Sequence, residues 1–156
     1  LNAYGAGTLP QSVKLSLQSG VAPGWLVYGS VTWTDWSVLD SLDYTIDLLG
    51  PQQDIYNWKD GWTVQAGVGH SFTDDIAGTV NLTWDKGVGT GADIHGDTWT
   101  LGVGASANAG PGQFVLGGGV SYLKSGSQSA ASGADYDATA NGDWAYALTG
   151  SYRIKF

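Results

Sequence analysis

Trp144-Ala-Tyr-Ala-Leu-Thr-Gly-Ser-Tyr-Arg-Ile-Lys-Phe156 is the stretch on which the fold turns. Trp144, Tyr146, Leu148, Gly150, Tyr152, Ile154 and Phe156 fall on one side of a period-two alternation, and Ala145, Ala147, Thr149, Ser151, Arg153 and Lys155 on the other. One face is apolar and aromatic; the other is small or polar. A soluble sandwich can use such a strand, but an aromatic-rich alternation that stops on Phe has the form of the closing strand of an outer-membrane barrel.

Composition agrees with that reading without deciding it. The 156 residues suit one domain, and the 42% hydrophobic content alone would also suit a soluble globule. Apolar runs are short, so no segment approaches the roughly 20 residues of a membrane-spanning helix. A barrel alternates apolar and polar positions, and its mean hydropathy stays near zero, as the value of -0.08 does here. The 25 Gly, 8 Trp and 8 Tyr suit closely packed strands with interfacial aromatics. All 14 acidic residues are Asp, giving a net charge of -8, which argues against a nucleic-acid partner. Asp is depleted in strands and favoured in turns, so the charge is expected in loops. There is no Cys, hence no disulfide and no Cys-ligated metal. No signal-like segment precedes Leu1, so a processed form or a fragment is expected.

Upstream, the same alternation recurs. Residues 1–10 lack a period and read as a loop. Ser12 to Ser19 alternates Val13, Leu15 and Leu17 against Lys14, Ser16 and Gln18, and is the first expected strand. After a turn at Gly20 to Gly24, Trp25, Val27, Gly29, Val31 and Trp33 run in phase. The phase then slips at Thr34-Asp35-Trp36, and Trp36, Val38, Leu42, Tyr44, Ile46 and Leu48 take even positions. A β-bulge produces such a slip. It also preserves an alternation of short and long connections, so the second strand is expected to continue to Leu48. Four further strands follow: Trp62 to Phe72, Ile76 to Trp84, Trp99 to Ala107 and Phe114 to Tyr122. Short turns at 73–75 and 109–112 alternate with long connections at 49–60, 85–97 and 124–143. With the closing strand this makes an antiparallel set of seven.

A barrel gathers aromatics into two belts at the lipid headgroups. On the long-connection side the apolar phase carries Trp33, Trp62, Trp84, Trp99, Tyr122, Trp144 and Tyr146, and on the short-turn side Trp25, Phe72, Phe114 and Phe156. From Trp62 to Phe72, a rise of about 3.3 Å per residue at a tilt near 40° spans about 25 Å, the height of the apolar band. Bacterial barrels have even strand counts, and an open sheet would leave two bare edges. The expectation is therefore a single barrel domain over 1–156 that forms the C-terminal half of a larger barrel. The odd count argues against closure by parallel pairing of the last strand with Ser12 to Ser19.

Leu9-Pro10 at a strand opening, Val31-Thr-Trp-Thr-Asp-Trp-Ser37, Asn57-Trp-Lys-Asp-Gly-Trp62 and the terminal Phe156 together resemble the FadL family of outer-membrane transporters for long-chain fatty acids and other hydrophobic compounds. The resemblance runs over nearly the whole chain. It implies a roughly fourteen-stranded barrel with an N-terminal hatch in its lumen and a kinked gating strand. Neither hatch nor gating strand is in this sequence, so no transport residue is carried over from them. The closing strand is expected to engage the barrel-assembly machinery, although Gly150 stands in phase with Phe156 where many insertion signals place a Gly one residue nearer the end.

Leu26, Tyr28, Val115 and Leu123 are apolar residues on the nominally polar phase, where a hydrophobic substrate in the lumen would find contacts, although packing against other lumen residues explains them as well. Gly67, Gly69, Gly102, Gly104, Gly117 and Gly119 share that phase and leave space or permit close approach. Asp93, His95 and Asp97 could converge on a divalent ion, but so sparse a set reads better as solvated, and no metal site is assigned. His70 reads as an interfacial residue. Gly87 to Gly91 lacks a following helix and is no phosphate loop. The sequon Asn81-Leu-Thr83 lies mid-strand and is discounted. No nucleophile–base pairing emerges, so no catalytic residue and no cofactor are expected. The functional expectation is passive transport of hydrophobic molecules in contact with outer-membrane lipids. An adhesion or structural barrel and a soluble carbohydrate-binding sandwich are the alternatives.

Overall fold

The computed structural model describes residues 2–154. It is all-β, with strands β1 (Ala3–Ala6), β2 (Ser12–Ala22), β3 (Trp25–Thr34), β4 (Ser41–Ile46), β5 (Gly50–Ile55), β6 (Gly61–Ser71), β7 (Ile76–Asp85), β8 (Thr98–Ala109), β9 (Gly112–Leu123), β10 (Gly126–Gln128), β11 (Ala138–Ala140) and β12 (Asp143–Ile154). Seven of them form one sheet in the order β12-β9-β8-β7-β6-β3-β2, antiparallel throughout. These are the strands that the alternation predicts. Each pairs with its neighbour in that chain order, so the sheet is a meander, and among the described residues it is open, with β2 and β12 at its edges.

Short turns are set by local chemistry. Gly24 has φ +75, a conformation that side chains other than glycine resist, and it closes the β2–β3 turn after Pro23. The Thr73 hydroxyl accepts the N–H groups of Asp75 and Ile76 and so closes β6 onto β7. Between Ala109 and Gly112 the chain needs only Gly110 and Pro111, with the Tyr152 hydroxyl donating to the Ala109 carbonyl at 2.9 Å.

The long connections depart from expectation. No bulge carries the second strand to Leu48: β3 stops at Thr34, and residues 36–38 form one 3-10 turn. The chain then leaves the main sheet as β4, which pairs with β1 on one side and β5 on the other. The phase slip is real, but it marks a change of sheet rather than an extra residue in one strand. Residues 1–10 are correspondingly not all loop, because Ala3–Ala6 is held by β4. The 49–60 connection contains β5, and the 124–143 connection contains the β10–β11 hairpin and a 3-10 turn at 130–132. Pairing partners far along the chain create these strands, and no local period announces them.

The two faces of the main sheet differ in chemistry and in exposure. One row across the apolar face reads Val27, Val68, Val80, Val103, Gly118 and Leu148 from β3 to β12. A row on the opposite face reads Ser30, Gln65, Thr83, Thr100, Ser121 and Ala145. In the central strands the apolar residues are generally the exposed ones and the polar ones are half-buried, so the sheet bends towards its polar face. Among the described residues Ala92, at 6% exposure, is the only buried hydrophobic residue, and Leu148 is 90% exposed. The accessible surface is 10554 Å² for a mass of 16.2 kDa, where a compact soluble globule of that mass exposes about 7,500 Å². Among the described residues no second layer covers the apolar face.

Candidate functional site

The apolar face is bounded by aromatics at both ends. Hydrogen-bond register sets Trp84, Trp99, Tyr122 and Trp144 side by side across four strands, with Trp84 and Trp99 centred 6.1 Å apart and Tyr122 and Trp144 5.0 Å apart. Trp33 opposes Trp62 one row further out, and Tyr146 lies one row further in. At the short-turn end Trp25 stacks on His70 at 4.1 Å, and Phe72 meets His70 edge-on at 4.9 Å. Phe114 packs against Tyr152 at 4.5 Å in the same zone. His70 is thus one member of an aromatic run, with Nδ1 donating to the Gly24 carbonyl at 3.0 Å. Phe156 lies outside the described residues.

On the polar face, Leu26 and Tyr28 are neighbours on β3, whereas Val115 and Leu123 sit at opposite ends of β9. The structure brings the first two together and keeps the others apart. Tyr28 opposes Gly67, and its ring lies across that glycine so that its hydroxyl meets Thr79 Oγ1 at 2.7 Å. Any side chain at residue 67 would collide with the Tyr28 ring. Asn81 lies in the same way over Gly102. Further along, Gly102, Gly104, Gly117 and Gly119 floor a hollow of about 350 Å³, rimmed by Thr79, Asn81, Thr100 and Thr149. Gly67 and Gly102 thus permit close approach beneath Tyr28 and Asn81, and Gly102 with Gly104, Gly117 and Gly119 leaves the open space further along the sheet.

Loop aspartates hold the aromatic end of the sheet to its long connections. Trp33 Nε1 donates to Asp60 at 2.9 Å, Trp58 Nε1 to Asp93 at 2.6 Å, and Trp84 Nε1 to Asp97 at 3.2 Å. Trp58 also stacks on Tyr56 and meets Trp36 and His95 edge-on. Residues 86–97 are thereby clamped between two other connections: Thr90 donates to the Asn57 carbonyl and Ser129 N–H to the Gly91 carbonyl, both at 2.8 Å. Asp93, His95 and Asp97 divide between two sets of contacts. His95 Nδ1 contacts Asp93 at 2.9 Å, while Asp97 turns to the backbone N–H of Gly87 at 3.0 Å. Among the described residues no cluster of three or more metal-ligating side chains forms. The Gly87 N–H is the main reason that the Asp97 carboxyl is held below its usual range; against a burial cost, the Trp84 indole and the Lys124 and Lys59 ammonium groups add to the effect. Sequence reading placed the aspartates in loops but missed their pairing with indoles, because each pair joins residues whose proximity depends on strand register.

Fold and faces together define an antiparallel meander whose apolar side is its outer side. The same fold occurs in the crystal structure of a FadL homologue from Pseudomonas aeruginosa, with a TM-score of 0.75 at 17% identity, covering 90% of this chain and 35% of that one. This chain thus spans about a third of that protein's length. No protein-family model and no curated protein matches the sequence. The resemblance read from the aromatic motifs fits this match to part of a FadL homologue, while the closed barrel it implied is not seen, the seven-stranded sheet being open among the described residues.

Proposed function

We propose that the chain forms part of a transmembrane β-barrel of the bacterial outer membrane that passes hydrophobic molecules, with long-chain fatty acids as the substrate class. One observation carries this reading: an uncovered apolar sheet face bordered at both ends by aromatic side chains. Water would penalise such a face, at about 25 cal/mol per Å² of apolar surface, and hydrocarbon would not. The bare edges of β2 and β12 cannot face lipid unpaired, so further strands are required to close the barrel. Likeness to part of a FadL homologue supports the transporter class. The polar face becomes the lumen wall, Leu26 and Tyr28 offer apolar contact along it, and β12 is the strand presented to the assembly machinery. Transport is passive partition and uses no cofactor.

Heat-modifiable mobility on gels and partition into detergent test the membrane placement, and a protein that stays monodisperse in plain buffer would rule it out. Fatty-acid uptake by cells expressing the gene, with and without Leu26→Asp and Tyr28→Asp at equal surface levels, tests the transport path. Reduced uptake is expected. Unchanged uptake removes both residues from the path, and absence of uptake by the unaltered protein leaves an adhesion or structural barrel.

A further inference from the structure

Beyond the aromatic row lies a second row that the transport reading does not use. Lys86 N–H donates to the Trp62 carbonyl at 2.8 Å and Lys124 N–H to the Asp97 carbonyl at 2.9 Å, so the sheet registers continue one residue past the ends of β7 and β9. Lys86 therefore stands two residues beyond Trp84 on the same face, and Lys124 two residues beyond Tyr122. Two residues of strand at a tilt near 40° rise about 5 Å beyond the aromatic row, into the headgroup region.

We propose that Lys86 and Lys124, set above the Trp84–Trp99–Tyr122–Trp144 row on the apolar face, bind the phosphate of a membrane lipid headgroup. This rests on the membrane placement proposed above, though not on transport.

Charge and contacts support that occupant. The chain has only 6 Lys and Arg against 14 Asp, yet both of these lysines are at one rim of one face. Among the described residues the only contact at salt-bridge distance is His95–Asp93, so neither ammonium has a carboxylate that close. Asp97, the acid between them, already accepts from Gly87 N–H through Oδ1 and from Trp84 Nε1 through Oδ2. Lys124 and, at the end of the neighbouring connection, Lys59 both lie close enough to help hold the Asp97 carboxyl ionised, which places a further cation beside this rim. Lys124 is exposed and Lys86 half-buried, as suits long side chains with an apolar stem and a charged head that reaches outward to water. An anionic headgroup with acyl chains fits both parts of the surface: phosphate on the ammonium groups, hydrocarbon on the aromatic row below.

The test uses the detergent-solubilised protein, with diphosphorylated lipid A and its dephosphorylated form as probes, and native mass spectrometry to measure binding. The diphosphorylated lipid should bind preferentially, and Lys86→Gln with Lys124→Gln should weaken it about twenty-five-fold, roughly five-fold for each ammonium. Lys14→Gln, on the polar face, should leave binding unchanged. Equal binding of both lipids, or an undiminished affinity in a double variant that keeps heat-modifiable mobility, overturns the proposal. Displacement of the lipid by inorganic phosphate alone overturns the lipid source and leaves a free-ion site. A protein that binds the lipid but carries no fatty acid retains this site and loses only the transport reading; one that never enters a bilayer loses both.

Discussion

Tyr28 and Gly67 act as one unit: the ring occupies the space that a Cβ would need, and the hydroxyl is anchored on Thr79. Gly67→Ala should displace that ring and destabilise the protein by roughly 1–3 kcal/mol in urea unfolding from vesicles. Gly69→Ala is the comparison, since the nearest atom to its Cβ would be 3.6 Å away, and it should change stability by less than about 0.5 kcal/mol. Equal effects would mean that Tyr28 does not lie across residue 67. Asp97 supplies a pH dependence of known sign. Its folded pKa is depressed, so its contribution is complete above the ordinary Asp value of about 3.9 and is lost as pH falls through the lower folded value. Trp84 fluorescence should report loosening of residues 86–97 in that acidic window, and Asp97→Asn should abolish the transition. At this scale the sequence shows phase and residue type. That Tyr28 covers Gly67, or that Trp84 meets Asp97, depends on which residues stand opposite, and a single strand does not carry that information.

Elements tell the same story at longer range. The seven strands of the main sheet announce themselves because each has its own period of two, and three of their joins are short turns written in Gly, Pro, Thr or Asp. β1, β4 and β5 form by pairing with one another, and Ala3–Ala6 is too short and too irregular to show an alternation. The slip of phase near Trp36 was legible, but its cause was not: a bulge and a departure into another sheet shift parity alike. The clamp on residues 86–97 gives a prediction at this scale. Trp58→Phe keeps a ring beside Tyr56 and Trp36 while removing the N–H given to Asp93, a bond to a charged group worth about 1.5–3 kcal/mol. Limited proteolysis should then cut within 86–97 several-fold faster with the main sheet intact. Unaltered cutting would assign the clamp to the Thr90 and Ser129 bonds instead.

For the whole molecule, the decisive property is that nearly nothing is buried. A single buried hydrophobic residue among those described would be untenable in water for a chain of this size, and it is natural for a wall between hydrocarbon and a lumen. On the membrane placement proposed above, the aromatic rows set the thickness that the wall matches. Unfolding free energy measured in vesicles of increasing acyl length should peak where the hydrocarbon is about 25 Å thick and decline in thicker bilayers. A flat profile would remove the two aromatic rows from the interfaces.

The meander has a further consequence, which concerns how fast such a sheet can form. Every ladder in the seven-stranded sheet joins strands adjacent in its chain order, so ends meet across a turn or a single long connection and never across the whole chain. Loop-closure entropy grows only logarithmically, by about 0.6 kcal/mol per doubling of length. Its largest local cost within the sheet therefore falls on the join of β3 to β6, which must close across residues 35–60. Hairpins β2–β3, β6–β7 and β8–β9 can each form on their own short turns, and their docking across the long connections becomes the slow sequence of events. The interlocked long connections, formed once neighbouring hairpins have met, act against the reverse step and slow the peeling of strands from the open sheet.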